Sequence, residues 1–224
     1  MKHKKPINCP ELICINVDKV YDWIVKEKSF DVTSLADVPI TFTPADSVPD
    51  EDIVGATVTC EVNPDPTTPI EVLARDDRPF IIDGTQVTLQ QLNIRKNFII
   101  TLIVTLADGT VLTSAPPVEG NEPVNAELLI SRCEQVTLCA PVGTEVEITY
   151  TDLDCFVCTT GALEVAEDTI SFTALTISVI TCQSIQSIYP VTVEFLAEFC
   201  EPRDDIQPEC PAPIRPLQCP VVFP

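Results

Sequence analysis

Phe98-Ile-Ile-Thr-Leu-Ile-Val-Thr-Leu106 runs into Ala107-Asp108-Gly109-Thr110 and then Val111-Leu112. The first stretch is nearly all apolar and too short for a long buried helix, so it predicts a central strand covered on both faces. Asp-Gly between two apolar runs is a strong hairpin signal, because a tight turn of the favoured hand places both residues at positive φ. The same device recurs upstream, where Phe80–Ile82 and Val87–Leu89 flank Asp83-Gly84. Further out, Val54, Ala56, Val58, Cys60 and Val62 alternate with Gly55, Thr57, Thr59 and Glu61, which predicts a strand with Cys60 facing inward.

Downstream, Ser114–Pro123 is a break rich in Pro and Gly. A second β series follows it. Val146, Ile148 and Tyr150 alternate with Glu and Thr, Ile170–Ile180 is rich in Thr, Ile and Phe, and Val191–Phe199 alternates again. Many short strands with frequent turn signals predict an all-β chain, an antiparallel β-sandwich or jelly roll, either one large or two in tandem. The expected organisation is an N-terminal Cys-bearing arm at 1–29, β-sandwich parts at 30–116 and 117–200, and a C-terminal tail at 201–224. The tail holds seven of the 21 Pro, a density that suits extended chain rather than sheet or helix. Within the arm, Ile13, Ile15 and Val17 alternate as in a strand, whereas Val17, Val20, Tyr21, Ile24 and Val25 share one face of a helix. The sequence leaves 17–28 open between the two.

Composition excludes several functions. With 34 Asp+Glu against 13 Lys+Arg, the net charge is −21, and a phosphate backbone would be repelled. The single His is His3, so catalysis by a positioned imidazole lacks material. No glycine-rich phosphate loop occurs. These absences predict a chain that is not an enzyme, takes no cofactor and binds no nucleic acid. No apolar run is long enough to cross a membrane as a helix, and no apolar signal segment follows the basic start, so synthesis in a cytosol is expected. Charge is uneven. Residues 1–28 carry six Lys and four acids, whereas the rest carries seven basic and 30 acidic residues. The alternative to simple solvation is attraction between the arm of one subunit and the body of the next. Beyond residue 28 the only Lys is Lys96.

The 11 Cys are an odd number, so at least one has no partner within the chain. Cys9 and Cys14 lie in the arm and Cys210 and Cys219 in the tail, on extended segments where an intermolecular disulfide meets little obstruction. Cys133, Cys139 and the pair Cys155-Phe-Val-Cys158 have spacings that a tetrahedral zinc site could use, with structural thiols or disulfides as the default. Cys60 and Cys182 read as small buried hydrophobes or local pairs. The acidic clusters Asp50-Glu51-Asp52, Asp76-Asp77, Asp152 with Asp154, and Asp204-Asp205 offer calcium-type oxygen ligands without EF-hand spacing, so solvated loops are the simpler reading. Tyr21 and Trp23 read as docking anchors of the arm.

The segment Cys14-Ile-Asn-Val-Asp-Lys-Val-Tyr-Asp-Trp-Ile-Val25 resembles the N-terminal region of spore-surface proteins of endospore-forming Firmicutes. A Cys-bearing arm ahead of a β-sandwich is also similar to the endospore appendage (Ena-type) fibre subunits. That resemblance implies jelly-roll subunits joined by β-sheet augmentation and by disulfides from the arm, with Cys9 and Cys14 in the linking role. It also implies a setting at the spore surface, reached from the mother-cell cytosol without a signal peptide and oxidising after lysis. This chain is longer than one appendage subunit, lacks an adjacent Cys-Cys pair and adds a Cys/Pro tail. A coat, exosporium or anchoring component is therefore expected beside a fibre subunit, with further copies of itself and other spore-surface proteins as partners. The alternative expectation is an adhesin-like binding module that recognises glycans through calcium-dependent acidic loops.

Overall fold

A computed structural model describes residues 11–45, 48–49, 53–119, 122–166 and 169–197. The described chain is all-β, with antiparallel sheets in a curled, sandwich-like arrangement. Thirteen strands follow in order: β1 (Glu11–Val32), β2 (Ile40–Thr43), β3 (Thr57–Pro64), β4 (Ile70–Ile82), β5 (Thr85–Thr105), β6 (Val111–Ser114), β7 (Val118–Glu119), β8 (Glu122–Pro123), β9 (Leu129–Leu138), β10 (Glu145–Thr159), β11 (Leu163–Ala166), β12 (Thr169–Phe172) and β13 (Thr176–Ala197). A short 3₁₀ segment, Ala126–Leu128, precedes β9. The described residues form two compact units, Val20–Tyr189 and the short pairing of 11–19 with 190–197.

Within Val20–Tyr189, β5 is the spine. Its Thr85–Lys96 half pairs with β4, and its Phe98–Thr105 half pairs with β3. On the opposite side, β9 pairs with Gln90–Ile99 and β6 with Ile103–Thr105. One strand thus organises four others, because an alternating apolar sequence of this length can satisfy both backbone edges only with neighbours on each side. The sheet continues through β6 to β2, β12 and β11, and a second sheet runs in the order β1-β13-β10. Asn125, fully buried, ties these pieces by accepting from Thr41 N–H and donating to the carbonyls of Thr41 and Ala115.

The expected central strand is therefore the C-terminal half of a longer one. Its even-numbered residues, Phe98 to Val104, are buried, while the odd-numbered ones are only half-buried. Both Asp-Gly hairpins form, but by different turns. Asp83 and Gly84 take φ of 50° and 78°, the two-residue turn that the sequence predicts. At the second, only Gly109 has positive φ, at 89°. Gly109 N–H donates to Leu106 O, and Leu106 N–H donates to Thr110 O. The longer loop lets Asp108 keep ordinary backbone angles and accept from Thr110 N–H, which holds its carboxyl below the usual range.

The segment 17–28 is strand, not helix. From Asp22 onward, Ile24, Lys26, Phe30 and Val32 lie on the less exposed side and Trp23 and Val25 on the other. That two-residue period, with β-branched side chains, satisfies the backbone through β13 rather than within the segment. Ile177–Ile180 and Val191–Ala197 belong to one strand, β13, that runs through Pro190. Pairing with β10 ends at Ile188, so the missing Pro N–H falls beyond the last β10 partner.

Residues 30–116 and 117–200 contribute to the same core. Phe42, Phe98, Leu102 and Leu112 pack with Ile130, Phe172, Ile177 and Val179 in one cluster. Leu92, Ile94, Val136, Leu138, Ala140 and Ile185 form a second. A single disulfide among the described residues, Cys60–Cys155, links β3 to β10, so the inward-facing Cys60 has its partner in the other sheet, with Cα atoms 6.0 Å apart.

Candidate functional site

Between the two apolar clusters lies a polar layer. Along β1, β5, β9 and β13 the inward side chains change character at the same level. β5 reads Ile94, Lys96, Phe98; β1 reads Ile24, Lys26, then Phe30; β9 reads Ile130, Arg132, Glu134, Val136; β13 reads Val179, Thr181, Gln183, Ile185. Lys96, the lone Lys beyond residue 28, is only 4% exposed. Its Nζ lies 2.6 Å from Glu134 Oε2 and donates to Gln183 Oε1 at 3.0 Å. Lys26 Nζ holds the other carboxylate oxygen at 2.6 Å, and Gln183 Nε2 donates to Glu134 Oε2 at 2.8 Å. Burial pushes the Glu134 carboxyl up, but hydrogen bonds from Lys26, Lys96 and Gln183 outweigh it and hold it down at about 2. Burial and the Glu134 charge together push the Tyr150 phenol up.

One carboxylate here serves two ammonium groups. Beside it, Arg132 stacks its guanidinium 4.8 Å from the Phe30 ring centroid and donates through Nη2 to Asp31 O at 2.8 Å. Among the described residues neither Arg132 nor Lys28 forms an ion pair. These groups border an open pocket of about 280 Å³ whose lining includes Lys28, Phe30, Lys96, Arg132, Glu134 and Thr181. In a chain of net charge −21, this is a local excess of positive charge.

A second feature lies on β1, the end strand of its sheet. In the unit of 11–19 with 190–197, Ile15 and Val17 are exposed, as are Val193, Phe195 and Leu196, and the Cys14 thiol is exposed. In Val20–Tyr189, Tyr21 is 38% exposed and Trp23 58%. Trp23 is oriented by its Nε1–H, which donates to Ser184 Oγ at 2.6 Å.

The chain matches no protein-family model, no curated protein and no solved structure.

The sequence-predicted thiols separate. Cys9, Cys210 and Cys219 lie outside the described residues, and Cys14, on β1, is exposed. Cys133, Cys139, Cys155 and Cys158 are not brought together. Cys155 is bonded to Cys60 and so offers no thiolate, while the other three are free thiols. Residues three apart on a strand point to opposite faces, so Cys155 is buried and Cys158 is exposed. No group of three or more His, Cys, Asp or Glu among the described residues is placed to hold a metal ion. Asp76-Asp77 lie on β4 and Asp152 with Asp154 on β10, whereas Asp50-Glu51-Asp52 and Asp204-Asp205 are outside the described residues. Among the described residues no helix is long and apolar enough to cross a membrane.

The polar layer is what sequence reading missed. Its visible signal was Lys96 on the inward side of an otherwise apolar alternation, Leu92, Ile94, Lys96, Phe98, Ile100. A lone cation in such a row needs a counter-charge from another strand.

Proposed function

We propose that this chain is a structural, self-assembling protein whose copies join by strand augmentation and are locked by intermolecular disulfides. The observation that carries the reading is β1: an end strand that bears exposed apolar side chains together with an exposed thiol, Cys14. A sheet edge of this kind is a template for another strand, and proteins that remain monomeric blunt such edges with charge, Pro or a covering element. A pairing edge gives affinity through backbone hydrogen bonds, exposed aromatics such as Trp23 add buried area, and a disulfide makes the contact permanent. The spore surface, as a fibre, coat or anchoring component, is the setting we propose, on the residues 14–25 that resemble such proteins.

Electrophoresis of oxidised protein with and without reductant tests the assembly. A ladder of multiples that collapses on reduction, and that shortens in Cys14→Ser, is expected. A single monomer band in both lanes after full oxidation overturns the reading. The setting is tested by probing the surface extract of spores with an antibody to this chain, and absence from every extract, reduced or not, removes it.

A further inference from the structure

We infer that the pocket bounded by Lys28, Lys96 and Arg132 is a carboxylate-binding site. The charges around it do not close among the described residues. Lys26 and Lys96 share Glu134, which leaves one positive charge over, and Lys28 and Arg132 add two more without an ion-pair partner. Lys96 is held in place from three sides by Glu134, Gln183 and its own strand, so it is a fixed donor at the inner wall. Arg132 is equally fixed, by the Phe30 ring on its face and the Asp31 carbonyl at Nη2. Its Nε is buried without a partner.

Orienting a guanidinium by stacking leaves its remaining N–H groups free for a planar acceptor, and a carboxylate matches that fork. Thr181 lines the same pocket, with its hydroxyl donating to Lys28 O and holding that stretch of β1 against β13. A volume of about 280 Å³ admits a group the size of an acidic side chain or a small dicarboxylate. Glu134 at the inner end disfavours a multiply charged tetrahedral anion more than a single carboxylate, because repulsion scales with charge.

Two sources carry this chemistry: a free small carboxylate, or an Asp or Glu side chain of a second copy of this acidic chain. The second rests on the assembly reading and the first does not.

A bound carboxylate stabilises the folded chain by mass action, so occupancy is read as protection against thermal unfolding. Full-length protein, with reductant present, is melted at low salt over a series of ligand concentrations. Succinate and a short Glu-containing peptide should each protect, and the neutral succinamide should not. Lys28→Gln, at an exposed position, should weaken that protection several-fold. Lys28→Gln with Arg132→Gln should weaken it about tenfold, as expected for lost charge-assisted hydrogen bonds. Unchanged protection in Lys28→Gln, or no protection by either carboxylate, overturns the site. Inorganic phosphate protecting at lower concentration than succinate overturns its class. Sedimentation of the fully reduced protein then separates the sources. If Lys28→Gln reduces salt-sensitive self-association, the occupant is a second copy. If association is unaffected while protection is lost, the occupant is a small carboxylate. Because protection is read on reduced protein, it stands or falls independently of any disulfide ladder.

Discussion

β5 and β1 have almost the same length, 21 and 22 residues, and both are rich in β-branched and aromatic side chains. Their surroundings differ. β5 has strands along both edges, and its inward row is buried nearly end to end. β1 ends its sheet, and its apolar residues Ile15, Val17, Trp23 and Val25 remain exposed. Strand formation alone does not bury a strand. Burial comes from what lies beside and above it. The contrast identifies β5 as the element that organises this fold and β1 as the element whose apolar row is left exposed.

The largest test of the β5 side is Glu134→Gln. It leaves Lys96 and Lys26 without a counter-charge inside the polar layer, and removal of one partner from a buried ion pair costs about 3–5 kcal/mol. Urea denaturation at neutral pH should show that loss. The same residue gives a pH dependence. Its carboxyl, ordinarily near 4.5, titrates at about 2 in the folded chain, so its stabilisation is complete above pH 5 and disappears as pH falls toward 2. The drop should amount to about 3 kcal/mol, and the acid limb should flatten in Glu134→Gln. If both proteins lose stability identically below pH 5, the layer does not carry the charge assigned to it.

Next in size is the clamp between the sheets. Cys60 and Cys155 are 95 residues apart, so their bond constrains a large loop of the unfolded chain. The Cys60→Ala, Cys155→Ala variant should lose about 2–4 kcal/mol under oxidising conditions. Reductant should then have no further effect on its melting temperature.

Gly161→Ala comes third. Gly161 has φ of +65°, and an added Cβ would meet Thr173 Oγ1 and come within 2.7 Å of Ala174 N. Left-handed strain plus a backbone clash predicts a loss of about 1–3 kcal/mol, measured by thermal denaturation. A neutral result would mean that the turn entering β11 relaxes freely.

How much of this was legible in the sequence divides along the same line. β3 and β10 were readable because alternation reports a face, the Phe98–Thr105 half of β5 because it is an almost unbroken apolar run, and the Asp-Gly turns reported where the chain reverses. β1 was not, because Val17, Val20, Tyr21, Ile24 and Val25 fit a helical face as well as Ile13, Ile15 and Val17 fit a strand. Pairing with β13, more than 150 residues away, decides between them. The polar layer depended on register. Lys96 was conspicuous, but its meeting with Glu134 and Lys26 requires three strands to be set to within one residue. The disulfide was hidden for a related reason. A shift in the β10 register between Tyr150 and Asp152 moves the inward phase from even to odd numbers, which turns Cys155 toward the core and Cys158 away.

The smallest effect on the fold bears most directly on β1. Val25 is 65% exposed and lies on the same face as Trp23. Replacing it with Thr keeps the β-branched shape and removes one methyl from a site already in water, so stability should change by no more than about 0.5 kcal/mol. If the exposed row serves only a solvated face, assembly should be equally indifferent. If the row packs on a neighbouring copy, the hydroxyl introduces a polar group into a contact that excludes water, and an unpaired hydroxyl buried there costs about 1–3 kcal/mol. Val25→Thr should therefore fold like the parent, keep its response to acid, and raise the concentration at which multimers form by about tenfold in sedimentation measurements. Equal assembly in Val25→Thr and the parent would place the contact elsewhere on the subunit, with the apolar hairpin tip of Phe80, Ile81 and Ile82 as the next surface to change.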